Sequence, residues 1–248
     1  IYTRVSAYSG EILATVVATE KIGLSPLRER LPGVSGLILN INSSGTNKIL
    51  GDESFVVFGS DHITDRLCGT DFDIYPDSFF QVNKFLTERL YNKAVKLAAL
   101  KGDETVFDLY CGAGTLTAAL SKNAGRVIGV EIVPSAVKSA KESLRRAGIT
   151  NAEIILGEAE KEAPRLVKEG IIPSSVVLDP PRKGCGDELI KMLTEIRPER
   201  IVYVSCDPAT LARDVKKLTG GGYSLSKVFP FDMFPFTHHV ETVALLER

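Results

Sequence analysis

The sequence predicts an α/β protein: a doubly wound, mostly parallel seven-stranded sheet with an antiparallel edge, preceded by a small β-rich domain. Three observations carry this. From Asp77 onward, apolar stretches of strand length alternate with amphipathic helical stretches over short connections. One such stretch, Thr105–Leu109, runs straight into the glycine turn Cys111-Gly112-Ala113-Gly114. Before that region the texture differs, with short apolar runs separated by Gly, Ser and Asn clusters. The boundary is accordingly placed after residue 75, giving a β-rich domain over 1–75 and a larger domain over 76–248.

In the first domain the strand candidates are Ile12–Val17, Gly36–Ile41 and Ser54–Phe58, with a tight hairpin turn at Ser9-Gly10. In the second, Phe85, Leu86, Leu90, Ala94, Leu97 and Ala98 recur at helical spacing and predict a long amphipathic helix. Strands follow at Thr105–Leu109, Arg126–Val130, Glu153–Leu156, Ser175–Leu178 and Arg200–Val204. The intervening helices are Leu116–Asn123, Pro134–Ala147, Glu158–Glu169, Asp187–Ile196 and Ala209–Leu218. Pro134 at a helix start and Gly148 past its end obey the usual asymmetry of helix termini. The last two strands, near Tyr223–Phe229 and His239–Leu246, leave no room for a crossover helix and predict an antiparallel pair.

Bulk properties narrow the function. An apolar fraction of 44% supports a real core, and no apolar run approaches the roughly 20 residues a membrane helix needs. No secretory leader is visible, and a start at Ile1 instead of Met reads as an excerpt of a longer protein. The four cysteines are scattered with no CxxC pair, which argues against zinc or an iron–sulfur cluster and for the reduced thiols of a cytoplasmic protein. A net charge of −1 does not announce a nucleic-acid binder; an RNA substrate would require clustered charge or another domain.

The glycine turn reads as a cofactor loop. Gly112 and Gly114 let the backbone approach a ligand, and Glu131 ends the next strand about 20 residues on, where a carboxylate can hold ribose hydroxyls. The third glycine of the dinucleotide fingerprint is missing, which favours a ligand without pyrophosphate, such as S-adenosylmethionine. Asp108 and Asp179 would set negative charge near its sulfonium. A bare GxG after a strand is also an ordinary tight turn; Glu131 and the strand-ending Asp179-Pro180-Pro181-Arg182 tip the reading toward the cofactor. Glu158 either approaches an adenine or is an exposed carboxylate at a helix start.

Cys206 follows the apolar strand, and Asp207-Pro208 starts a helix, so the thiol sits near a helix amino end, a place that can lower its pKa. The competing reading is an inert buried cysteine. Glu241 opens the apolar run Thr242–Leu246, as a base or as a solvated carboxylate; spacing does not decide. His238 and His239 are adjacent, and neighbouring strand residues point to opposite faces, so a metal site is not expected.

Together these stretches resemble the RNA (uracil-5-)-methyltransferases, which form 5-methyluridine in transfer and ribosomal RNA. The resemblance rests on Ser78–Asn83, Asp108–Gly112, Gly129–Glu131, Asp179–Arg182, Ser205–Pro208 and Phe234–Glu241, in that order, and is fainter over residues 1–75. It implies a Rossmann-like class I methyltransferase fold. It also implies S-adenosylmethionine held by Gln81, Tyr110, Thr115, Glu131 and Asp179, besides Asp108, Gly112 and Gly114 from the loop. Cys206 matches the nucleophile and Glu241 the general base, with Arg182 and Asp179 near a flipped uridine. The partner would be rRNA or tRNA. Many relatives add an amino-terminal TRAM barrel and some an iron–sulfur cluster, which this chain lacks, and Phe236 stands where the family usually has His. Rival readings are an RNA cytosine-5 methyltransferase, which typically shows Asp-Pro-Pro-Cys in place of Asp179–Arg182, and a cofactor-binding module without catalysis.

Overall fold

The computed structural model describes every residue of the chain except residue 47. It divides into two compact units, Ile1–Phe80 and Gln81–Arg248.

The first unit is all β apart from a 3₁₀ turn at Ser25–Arg30. Strands β1 (Tyr2–Val5), β2 (Ile12–Ala18), β3 (Gly36–Ile41) and β4 (Glu53–Gly59) form one sheet, with β2 and β3 parallel and the outer pairs antiparallel. The hairpin between β1 and β2 is not the tight turn expected at Ser9-Gly10. Its loop runs over residues 6–11 because Asp65 and Ser6 cap it: Ala7 N and Tyr8 N donate to Asp65, and Tyr8 N and Ser9 N donate to Ser6 Oγ.

A second hairpin, β5 (Ile63–Leu67) with β6 (Thr70–Ile74), escaped the sequence reading. Its turn residues Cys68 and Gly69 both have positive φ, as a type I′ turn requires. The buried carboxylate of Asp65 interrupts the apolar alternation that would have marked the strand.

The second unit opens with α1 (Lys84–Ala98), capped by Asn83 Oδ1, which accepts from Leu86 N at 3.3 Å. Its buried stripe is Leu90, Tyr91, Ala94, Leu97 and Ala98. Phe85, counted into that stripe from spacing, is instead exposed on the first turn.

Then come β7 (Thr105–Leu109), α2 (Thr115–Ser121), β8 (Arg126–Glu131), α3 (Pro134–Arg146), β9 (Ala152–Leu156), α4 (Ala159–Lys168), β10 (Ser175–Leu178), α5 (Asp187–Ile196), β11 (Arg200–Ser205), α6 (Pro208–Gly220), β12 (Ser224–Phe231) and β13 (Glu241–Glu247). The seven strands lie in the order β9-β8-β7-β10-β11-β13-β12. The first five pair in parallel; β13 enters antiparallel beside β11, and β12 pairs antiparallel with β13 as the edge.

Helices on both faces explain why the inner strands are mostly apolar, Asp108 of β7 being the buried exception. Val106, Phe107, Val176, Val177, Ile201 and Val202 are fully buried. Chain order reverses between β7 and β10, and a doubly wound sheet opens its ligand crevice at such a switch point, beyond the carboxyl ends of the strands.

Candidate active site

At the switch point, β7 ends on Asp108 and Leu109, while β10 hands over to Asp179, whose N–H donates to Leu109 O at 3.2 Å. Asp108 is fully buried. Its Oδ2 accepts from Thr117 Oγ1 at 2.5 Å, and its Oδ1 has no hydrogen-bond partner among the described residues. Burial, opposed by the Thr117 hydroxyl, pushes Asp108 up to about 7. Asp179 retains some solvent access at the crevice floor, yet crowding by protein and the charges of Glu241 and Asp108 push it up to about 7 as well.

The glycine turn leaves β7 through Tyr110, Gly112 and Gly114, all with positive φ. The two glycines serve different ends. A Cβ on Gly112 would meet no atom within 4 Å, so this residue borders open space. A Cβ on Gly114 would lie 2.9 Å from Ala140 Cβ, so its bareness lets α2 pack on α3.

Glu131 organises the turn through two backbone donors. Gly112 N reaches its Oε2 at 2.9 Å and Val133 N its Oε1 at 2.8 Å, leaving further lone pairs free on both oxygens. The Tyr110 hydroxyl donates to Glu160 Oε1 at 2.7 Å. Gln81 joins through Tyr91, a buried residue that the sequence reading did not single out. Tyr91 bonds both Gln81 and Thr115 (Oγ1 to Oη, 3.4 Å) and feels the charges of Asp179 and Asp108. Glu158 is exposed before α4 and pairs with Lys161 at 2.9 Å.

Cys206 and Glu241 meet by strand register. Ser205 of β11 pairs with Thr242 of β13 as the last rung of that ladder, so Cys206 and Glu241 lie just beyond it on adjoining strand ends, and the carboxylate's charge reaches the thiol. Glu241 is buried and its acidity is weakened mainly by that burial, with Arg182 opposing. Cys206 is partly exposed.

The thiol's pKa is raised, against the expectation from its helix-terminal position. Burial is the largest cause, followed by the carboxylates of Glu241 and Asp179; Arg182 pulls the other way. The helix end does not compensate because Asp207 occupies it: its Oδ1 accepts from Ala209 N and Thr210 N at 2.9 and 3.0 Å. Exposed Arg182 also acts on Asp207, so one cation serves three acidic groups.

A buried polar network beneath the site was invisible to spacing. Asp214, fully buried on α6, accepts from Tyr203 Oη at 2.7 Å, Cys185 N at 2.8 Å and Arg213 Nε at 2.9 Å. Arg213 also donates to Lys183 O at 2.7 Å. Gly184 has positive φ, and a Cβ there would lie 2.4 Å from both Asp214 Oδ2 and Arg213. The loop carrying Arg182 is thus clamped from below. Cys185 Sγ donates to Tyr203 Oη at 3.6 Å; burial pushes this thiol up to about 12.

His238 and His239 do not diverge as strand neighbours would. They lie in the loop before β13 with ring centroids 4.2 Å apart. No group of three or more His, Cys, Asp or Glu placed to hold a metal occurs among the described residues, and no helix there is long and apolar enough to cross a membrane.

Comparison with known proteins agrees with this architecture. Residues 27–248 match the model of the tRNA (uracil-5-)-methyltransferase family. The chain is 48% identical over 252 residues to an "Uncharacterized RNA methyltransferase" of Clostridium tetani, covering 99% of this chain and 55% of that protein. It is 45% identical over 254 residues to another from Clostridium acetobutylicum, covering 100% of this chain and 55% of that protein. The chain spans about half the length of the curated relatives it matches.

Among solved structures, it superposes on the Pyrococcus abyssi tRNA (uracil-54, C5)-methyltransferase in complex with S-adenosyl-L-homocysteine. The TM-score is 0.84 at 30% identity, over 98% of this chain and 58% of that one. The M. jannaschii tRNA m1G37 methyltransferase shares the fold alone, with a TM-score of 0.60 at 12% identity over 98% and 73% of the two chains. On the match over residues 27–248, the chain belongs to the tRNA (uracil-5-)-methyltransferase family.

Proposed function

We propose that the chain is the catalytic part of an enzyme that methylates carbon 5 of a uridine in structured RNA, tRNA or rRNA, with S-adenosylmethionine as methyl donor. The observation that supports this is the pairing of Ser205 with Thr242, next to which Cys206 feels the charges of both Glu241 and Asp179.

The residues suit the cofactor. An unpartnered buried Asp108 oxygen, open space over Gly112 and spare lone pairs on Glu131 offer polar contacts for a nucleoside with a cationic sulfur. Gln81, Tyr110, Thr115 and Asp179 complete the proposed cradle. When bound, S-adenosylmethionine supplies an electrophilic methyl group that carbon 5 takes up.

Carbon 5 of uracil is a weak nucleophile, and the chain's own groups make it reactive. The thiolate of Cys206 adds to carbon 6, pushing electrons onto the ring as an enolate. After methylation, Glu241 removes the proton from carbon 5, the carbon 5–carbon 6 double bond re-forms and the thiolate of Cys206 leaves. Arg182 favours the anionic forms of both groups. The base must leave its stack to reach the crevice.

Methyl transfer from labelled cofactor to unmodified RNA tests the reading. Cys206→Ala is expected to abolish transfer while S-adenosylhomocysteine still binds, and Glu241→Gln to accumulate a protein–RNA adduct. Wild-type turnover by Cys206→Ala would refute the covalent route.

A further inference from the structure

The loop joining β12 to β13 carries rings at Phe234, Phe236, His238 and His239, and one of them has no work inside the protein. Phe236 is fully exposed at 108% of the reference area and holds φ at +67°. A bulky aromatic in the left-handed region is strained, and such strain concentrates where residues act on ligands.

The rest of the loop is tightly built. Met233 is buried, its N–H donates to Phe231 O at 3.0 Å, and its carbonyl accepts from Asn83 Nδ2 at 3.2 Å. Thr237 closes a turn back onto Phe234 O, through its N–H at 3.1 Å and its hydroxyl at 2.7 Å, and its Oγ1 accepts from His239 N at 3.2 Å. Phe234 packs edge-on against His239 with centroids 6.2 Å apart. The loop's base is fixed by the pairing of Phe231 with Glu241. A rigid support therefore projects a single ring at its tip, five positions before the carboxylate that would serve as base.

We propose that Phe236 is an RNA-contacting residue whose ring stacks on a base flanking the extruded uridine. This rests on the functional reading above. Extruding one base leaves its neighbours with open π-faces, and an aromatic side chain satisfies such a face whatever the base's identity. An apolar peptide or a lipid surface would need a contiguous greasy patch. Its exposed chain neighbours Thr237 and His238 are polar and do not extend the ring into such a patch.

The chain contains no Trp, so Phe236→Trp installs a lone fluorescent reporter at the tip. Titrated with a pool of transfer and ribosomal RNA transcripts made in vitro and so unmodified, its emission is expected to be quenched as stacking occurs. Phe236→Ala should raise KM for that RNA about tenfold with little change in kcat and none in S-adenosylhomocysteine affinity. Phe236→Tyr should restore KM, and Phe236→Leu, apolar but not aromatic, should not.

If the wild type methylates this RNA while the tryptophan stays bright at saturation, or Phe236→Ala keeps the wild-type KM, the stacking role is wrong and the functional reading survives. If the wild type neither methylates nor binds the RNA, both fall together.

Discussion

The backbone N–H of Gly112 and the Oε2 of Glu131 lie 2.9 Å apart, so the end of one strand sets the shape of the loop leaving its neighbour. Glu131→Ala would free two backbone donors at once, since Val133 N shares the carboxylate. The expected result is a loss of about 1–3 kcal/mol in a urea melt. S-Adenosylhomocysteine affinity by calorimetry should fall by about tenfold or more. Unchanged affinity would show that Glu131 is structural only.

Asp108 and Asp179, both held near 7, make a pH prediction. Unfolded, each titrates near the ordinary 3.8. Between that pH and about 7 the folded chain binds more protons than the unfolded one, so their contribution to stability declines as pH rises through this window and is flat above it. A cation placed beside them favours the ionised forms. S-Adenosylmethionine binding at pH 6.5 should therefore release more protons than binding of the uncharged-sulfur product, seen as a difference in calorimetric enthalpy between phosphate and Tris buffers. Equal release by the two ligands would contradict this placement of charge.

The acidity of Cys206 should follow its neighbours. Glu241→Gln removes a nearby anion and should lower the thiol pKa; Arg182→Ala removes a cation and should raise it. Rates of iodoacetamide alkylation across pH 6 to 10 report both, as displacements of the pH profile in opposite directions. Shifts in the same direction for both variants would mean that repacking governs the thiol.

Asp214 holds three donors from different elements. Asp214→Ala should cost about 2–4 kcal/mol, because Tyr203 Oη and Cys185 N are left buried without an acceptor. Asp214→Asn keeps an acceptor and should recover much of the stability. If the clamp positions Arg182, the Asn variant should also show a lower kcat with cofactor affinity intact. A fully active, destabilised Asn variant would confine the network to folding.

Much of this was legible in the sequence because it depends on local signals. Central strands such as Val176–Leu178 and Ile201–Val204 read as unbroken apolar runs, and the turn after Leu109 announces itself by glycines. What was hidden depends on partners far along the chain. Asp65 reads as a solvated charge until the loop over residues 6–11 closes on it, and so the β5–β6 hairpin passes unseen. Tyr91 has the right spacing for a packed helix face, and nothing nearby reveals that its hydroxyl meets Thr115. Asp214 looks like a charge on a helix surface; its acceptor role exists only once Tyr203 and Cys185 are folded beneath it. Phe85 failed because it is out of phase: it lies about half a helical turn from the face of Thr87, Leu90, Ala94 and Leu97, on the side of exposed Arg89.

The placement of β13 between β11 and β12 has a consequence for biosynthesis. The ribosome delivers β12 before β13, yet within the sheet β12 bonds only to β13. During translation, eight residues of edge strand must therefore wait unpaired until β13 emerges. The same event brings the carboxylate to the thiol, so a nascent polypeptide holds Cys206 without Glu241. On the proposed mechanism, a stalled or truncated chain would lack both the completed sheet and the base that acts with the thiol.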